Sequence, residues 1–256
     1  MIKWKLMIST LPFVAIVTAI KALMEFVFHV KGVVDFGDVG IVLTAGVFLS
    51  GFVLAGTMAD YKEAEKLPSE IAITLETIEE IFILACTGRP ALAIGEFKRE
   101  TLAVTDIIKA WLINAKKTPE VFQALTHMNV VIRKLEAGGA GPYASRAVPQ
   151  LLMLRKNVSR IDVIRRTGFL PAAYALLEVL LAMILLLLLT ASFKAVVAEF
   201  ILVPVVALVN MYLLRLIKDV DDPFDYSSDG KKRGGAEVEL FPIDEYRERL
   251  ASRLDA

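Results

Sequence analysis

Residues Leu170–Ser192 read LPAAYALLEVLLAMILLLLLTAS, an apolar run whose one charged side chain is Glu178. A bilayer core is about 30 Å thick, and a helix of about 20 residues crosses it. Hydrocarbon offers the backbone no hydrogen-bond partner, so a segment this long and this apolar must satisfy its own peptide groups as a helix. A membrane β-barrel would instead show short segments of alternating polarity. Three further stretches have the same character: Leu6–Val30, Val39–Met58 and Val196–Ile217. They fall in two pairs, one towards each end of the chain, and predict an all-α integral membrane protein with four transmembrane helices, two plus two, around a helical cytoplasmic domain.

Hydrophobic residues make up 56% of the 256, with a mean hydropathy of +0.59, whereas a soluble domain holds about 45–50% apolar residues. The formal charge of +0 conceals an asymmetry: sixteen Lys and Arg fall between Lys62 and Arg166, while the loops around Lys31 and Lys194 carry one each. The positive-inside rule places the middle segment and both termini in the cytoplasm, with the protein in the inner or plasma membrane. Lys3 and Lys5 precede the first span, and Thr18–Ala22 offers small residues for cleavage, but the apolar run continues past Ala22, beyond the reach of a signal peptide. Cys86 is the one cysteine, which excludes an internal disulfide and a Cys-based metal cluster.

Four segments follow: 1–58 with the first pair of spans, 59–169 as the cytoplasmic domain, 170–218 with the second pair, and 219–256 as an acidic turn and cytoplasmic tail. Periodicity predicts helices over Ser69–Ala85 and Ala91–Lys116, the second with Ile94, Phe97, Leu102, Ile107 and Trp111 mostly on one face. Thr118-Pro119-Glu120 reads as an N-cap, a proline at the first helical position and a carboxylate favoured by the dipole. That helix is expected to end at Gly138-Gly139. Ala147–Arg166 then leads back to the membrane as a basic amphipathic helix, its charges read as a solvated face drawn to anionic headgroups rather than as a nucleic-acid site. Asp222-Pro223 stops the last span. In the tail, Val238, Leu240 and Phe241 precede a short helix from Asp244 to Leu254 and suggest docking onto a surface.

The sequence contains no glycine-rich phosphate loop and no His-Glu metal motif, and its only near-neutral proton carriers, His29 and His127, read as interfacial or surface residues. It does not read as an enzyme. Polar residues within spans are the usual markers of a pathway, which singles out Lys21, Glu25, Glu178, Glu199 and Asn210. Lys21 and Glu25, four apart on one helix face, can pair with each other. Snorkelling near the span ends is the plainer reading of Lys21, Glu25 and Glu199. Glu178 is placed deeper.

In the second span Thr44, Phe48 and Phe52 recur at four-residue steps, drifting about 40° per step around a helix of 3.6 residues per turn, and so make one stripe. Gly46, Ser50, Gly51, Ala55 and Gly56 occupy the rest of that helix, and small residues let neighbouring helices approach closely. Copies arranged around an axis would set Phe48 and Phe52 as an apolar constriction that gates by dewetting. The competing reading is ordinary core or lipid-facing phenylalanines.

Phe48-Leu49-Ser50-Gly51-Phe52, followed by Asp60-Tyr61-Lys62-Glu63-Ala64-Glu65-Lys66-Leu67, resembles the end of the second span in bestrophins, where a Gly-Phe pair precedes an aromatic and charged run. Asp222-Pro223-Phe224 is similar to that family's Asn/Asp-Pro-Phe signature, and Glu237–Leu254, with Leu240, Pro242 and an acidic helix, is similar to its tail. The resemblance implies homo-oligomers, usually pentamers, around a central ion pore with its hydrophobic neck on the second span. Carried over by position, Phe52 matches the phenylalanine of the Gly-Phe pair, Phe48 the neck residue one turn earlier, and Thr44 the one before that, where an apolar residue is the family's choice. Tyr61-Lys62 stands where paired tryptophans are common, and Leu170-Pro171-Ala172-Ala173-Tyr174 keeps only part of a proline-tyrosine start. The resemblance is therefore to a divergent, prokaryotic-type member. It implies inorganic ions as cargo, an anion such as chloride more commonly than a cation.

The same resemblance raises calcium, which animal bestrophins bind through an acidic cluster near this point and which favours several oxygen ligands. Asp219, Asp221, Asp222, Asp225 and Asp229 are the candidates, and no other cofactor is expected. Asp225, Ser227, Asp229 and Gly230 fit the first half of an EF-hand loop, but Ala236 occupies its twelfth position and Lys231-Lys232-Arg233 sets three positive charges inside it. Two other functional readings stay open: a membrane-anchored scaffold or sensor presenting the helical domain, and a proton-coupled transporter using Glu178 and Glu199.

Overall fold

The computed structural model describes residues 2–29 and 32–255. Met1, Val30, Lys31 and Ala256 lie outside the described residues, as do the side chains of Ile2, Lys3 and Asp255, so the expected basic charges at Lys3 and Lys31 do too. The elements are α1 (Ile2–Phe26), β1 (Val34–Asp35), α2 (Phe36–Ala64), α3 (Leu67–Cys86), α4 (Ile94–Leu112), α5 (Thr118–Ala137), α6 (Gly141–Arg166), α7 (Pro171–Thr190), β2 (Ala191–Ser192), α8 (Val196–Asp221) and α9 (Phe241–Asp255). They form two compact units. Residues 1–61, 168–222 and 234–236 make a membrane unit, and residues 62–167, 223–233 and 237–256 a helical unit.

In the membrane unit, α1, α2, α7 and α8 supply four stretches long and apolar enough to cross a bilayer. Helix α2 enters through Val53, which packs on Leu177 and Leu181 of α7 and on Leu214 and Ile217 of α8. Helix α1 joins by Val17 against Val203 and Ala207 of α8. A two-residue parallel pairing of β1 with β2, Val34 opposite Ala191 and Asp35 opposite Ser192, ties the start of α2 to the end of α7. Residue 32 must be glycine for this pairing, because a Cβ there would lie 2.3 Å from the Ser192 backbone nitrogen. Such short strands have no sequence pattern, and none was expected.

In the helical unit α3 packs on α6, α6 on α5, α5 on α4, and α9 on both α3 and α4. Phe82 and Phe97 meet with ring centroids 4.9 Å apart in its core, beside the buried Trp111. Two predicted boundaries move by four residues or more, while α4 begins at Ile94 rather than Ala91 and α9 at Phe241 rather than Asp244. Helix α4 stops at Leu112 rather than Lys116, because Asn114 takes a left-handed φ of 60° and the amides of Ala115 and Lys116 both turn back to the Ala110 carbonyl. Helix α6 begins at Gly141, six residues before Ala147, on the proline of its first turn. The cap of α5 falls one residue before Thr118: the Lys117 amide donates to Glu120 at 3.0 Å. The Thr118 hydroxyl is instead taken up by Asp162 at 2.8 Å, while accepting the Trp111 indole N–H at 3.1 Å. The tail docks within its own unit, burying Phe224, Val238, Ile243, Tyr246 and Leu250 while Phe241 stays exposed.

Candidate functional site

Helix α2 has two unlike faces. On one, Ser50, Val53 and Thr57 are buried, and the two hydroxyls are satisfied inside the helix, Ser50 by the Gly46 carbonyl at 2.8 Å and Thr57 by the Leu54 carbonyl at 3.0 Å. A Cβ at Gly46 would sit 2.5 Å from the Ile184 Cδ1, and one at Gly56 would sit 2.3 Å from the Phe169 ring. Glycine at 46 thus admits the side chains of Ile184 and Asn210, and glycine at 56 the Phe169 ring. Gly51 and Ala55 are different. They are exposed, and a Cβ at Gly51 would meet nothing within 4 Å, so neither serves packing inside this chain.

The other face carries the aromatic stripe. Phe48 is 78% exposed and Phe52 60% exposed, with Thr44 exposed on the same line. The Thr44 hydroxyl donates to the Gly40 carbonyl at 2.8 Å, so its polarity is spent on the helix backbone. That softens the departure at this position from an apolar residue. Ile41, three residues earlier, extends the stripe and lines a shallow hollow with Thr44, Ala45 and Phe48. It was legible from its three-residue spacing to Thr44 but was not singled out.

The polar residues of the spans do not arrange as expected. Lys21 pairs with Glu199 of α8 at 2.7 Å and not with Glu25. Its ammonium also donates to the carbonyls of Leu189 and Ala191, both at 3.0 Å, and lies 5.7 Å from the centre of the Phe193 ring. The end of α7 leaves backbone acceptors without helical partners, and a cation that meets two of them and a carboxylate is better satisfied than one bonded to Glu25 alone. Neither Lys21 nor Glu199 snorkels, being 3% and 4% exposed. Glu25 is half-buried. Glu178, expected deep, pairs with Lys218 at 2.6 Å with both side chains about half exposed. Asn210 is buried beside Gly46 and donates to the Val206 carbonyl at 2.9 Å.

Carboxylates of the acidic turn are engaged inside the chain. Asp219 accepts the Gly235 amide at 3.0 Å, Asp221 the Phe169 amide at 2.9 Å, and Asp225 faces Arg233 at 3.3 Å. Asp229 is bound by Lys231 at 2.7 Å and by Ser227, which hold its carboxyl well below the usual carboxylate range. Lys231 thus engages one acidic position of the half-loop that resembles an EF-hand. Among the described residues, no three His, Cys, Asp or Glu side chains converge as a metal site, and Asp222 is not brought into one.

No family model and no curated protein sequence matches the chain. Solved structures do. A bacterial bestrophin homologue from Klebsiella pneumoniae, solved by zinc phasing, superimposes with a TM-score of 0.74 at 13% identity, over 100% of this chain and 99% of that one. A tyrosine-to-alanine variant of the homologue gives 0.73 at 14% identity over 100% and 99%. A structure known as a membrane protein with a leucine-to-alanine substitution gives 0.77 at 12% identity over 98% and 99%. The chain therefore has the all-α membrane fold of the bacterial bestrophin homologues along nearly its whole length.

Proposed function

We propose that this chain forms a passive ion channel, several copies surrounding an axis lined by α2, with Thr44, Phe48 and Phe52 as a hydrophobic neck. The observation that carries this reading is the two-faced α2: one side packs on α7 and α8, while Phe48 and Phe52 on the other side are left exposed by the described residues. Rings on such a stripe, repeated around an axis, make a constriction that passes ions when wet and closes when dry. Gly51 and Ala55, exposed beside the stripe, would let neighbouring copies approach closely. The fold and the motif resemblance support a homopentamer in the plasma or inner membrane with both termini cytoplasmic, conducting a small anion such as chloride, without a cofactor and without chemical conversion of its cargo. Against a proton-coupled transporter, Glu199 is committed to Lys21 and Glu178 to Lys218.

Reconstitution in planar bilayers under a KCl gradient tests the proposal. Single-channel steps are expected, altered in amplitude or open time by Phe48→Ala/Phe52→Ala, with the reversal potential giving the sign of the permeant ion. Silence from a folded oligomer, unchanged by the double substitution, would transfer the assignment to a membrane-anchored scaffold.

A further inference from the structure

A pocket of about 470 Å³ lies inside the helical unit, between the last turn of α2, the start of α3 and the middle of α6. Three cations line it: Lys66, Lys156 and Arg160. Two carboxylates oppose them, but they are not equivalent. Glu63 is engaged by the Arg160 guanidinium through two hydrogen bonds, one of 2.8 Å from Nε. That bonding holds the Glu63 carboxyl below its ordinary range, with Lys66 acting in the same direction, so near neutrality it is an anion already matched by Arg160. Glu70 remains, exposed. Among the described residues, Lys66 and Lys156 have no carboxylate within ion-pair distance, and the side chains lining the pocket sum to one net positive charge.

A second observation, independent of the charges, points to a missing partner. Asn157 lines the same pocket and is 3% exposed, yet its amide nitrogen has no hydrogen-bond acceptor. A buried donor left unmatched forfeits its hydration without return. It is therefore the atom in this pocket that a ligand oxygen would satisfy. The Ser159 hydroxyl is a further donor on the rim. Two unpaired ammonium groups, a guanidinium, a buried amide donor and a hydroxyl match the oxygens of a phosphate group. Leu67, Met153 and Val163 supply apolar wall beside them.

We infer that this pocket binds a phosphate group, with Lys66 and Lys156 supplying charge and Asn157 the buried hydrogen bond. The group belongs to one of two sources with the same chemistry, an anionic lipid headgroup or a free phosphate compound. This site is separate from the neck and does not depend on whether the protein conducts.

The test is a binding measurement on the purified full chain in neutral detergent, by native mass spectrometry, with phosphatidic acid, phosphatidylcholine and inorganic phosphate as probes. Phosphatidic acid bound in preference to phosphatidylcholine, and not displaced by inorganic phosphate, supports the site with a lipid as its source. Displacement by inorganic phosphate supports it with a soluble source. In either case Lys66→Ala/Lys156→Ala, at two exposed positions that leave folding intact, is expected to weaken binding by about tenfold or more. Asn157→Asp, which replaces the buried donor with an acceptor of the same shape, is expected to weaken it further. Equal binding of the two lipids with no binding of phosphate, or binding unaffected by the double lysine substitution, would overturn the inference. No current is read, so a silent bilayer and an empty pocket remain separate results.

Discussion

The two units of this chain are built on different terms. Among the described residues, the largest fully buried side chains, Trp111, Tyr246, Phe82, Phe97 and Phe224 at their head, all belong to the helical unit. In the four apolar helices, only 22–28% of each apolar window is buried inside the chain. The helical unit hides its apolar surface from water and so accumulates a dense core of large side chains. The membrane unit gains nothing by hiding leucine from lipid, and is held by close helix approach at small residues and by a few polar ties. The difference shows which surfaces are free for function. In a bilayer, Phe48 and Phe52 on α2 face out of the chain without having to be hidden from water.

The contrast can be broken most directly by truncating one aromatic side chain in each unit. Trp111→Ala removes a buried ring, its hydrogen bond to Thr118 and its stacking with Arg165 5.2 Å away, and is expected to cost about 3–5 kcal/mol, read as a lowered unfolding temperature in detergent. Phe48→Ala in the dissociated chain is expected to cost less than about 0.5 kcal/mol; an equal loss from both would mean that the stripe has an internal partner.

A second comparison sets the two ion pairs of the membrane unit against each other. Glu199→Ala strands the buried Lys21 and is expected to destabilise by about 3–5 kcal/mol. Lys218→Ala, which opens the half-exposed pair with Glu178, is expected to cost under about 1 kcal/mol. Protease resistance in detergent ranks the two variants.

The last comparison is in the helical unit and concerns pH. Burial, and then the Glu79 carboxylate 3.4 Å away, push the Tyr246 phenol well above its ordinary 10.0. The folded chain then holds that proton more tightly than the unfolded one, so the contribution is complete below pH 10 and is lost as pH rises above it, by up to about 1.4 kcal/mol per pH unit. Tyr246→Phe is expected to flatten this alkaline slope; an unchanged slope would place the sensitivity elsewhere.

The membrane-spanning helices were legible because length and apolarity are properties of contiguous sequence. The stripe on α2 was legible because four-residue spacing survives whatever packs against it. Partners distant in sequence were not. Lys21 and Glu25 satisfy the local pairing rule, but the carbonyls at the end of α7 and Glu199 compete for the same ammonium, and nothing local announces them. Thr118 has the makings of a cap, yet Asp162 claims its hydroxyl from 44 residues away. Gly51 and Ala55 look like Gly46 and Gly56 in sequence, and only the placement of α7, α8 and Phe169 separates the pair that packs from the pair that does not. Asn157 gave no signal at all, since an asparagine in a basic helix is unremarkable until its amide is found buried without a partner.

The short β1–β2 ladder has a mechanical consequence. The Val33 amide bonds to the Thr190 carbonyl at 2.9 Å, the two strands pair in parallel, and Gly32 lies against the Ser192 backbone, while Lys21 grips the carbonyls on the α7 side. Helix α2 is thus tied at its first residue to the end of α7, so sliding it along its axis or turning it as a rigid rod would first have to break that ladder. In the proposed channel, the softer route to a change of bore is bending farther along the helix or rotation of the Phe48 and Phe52 rings.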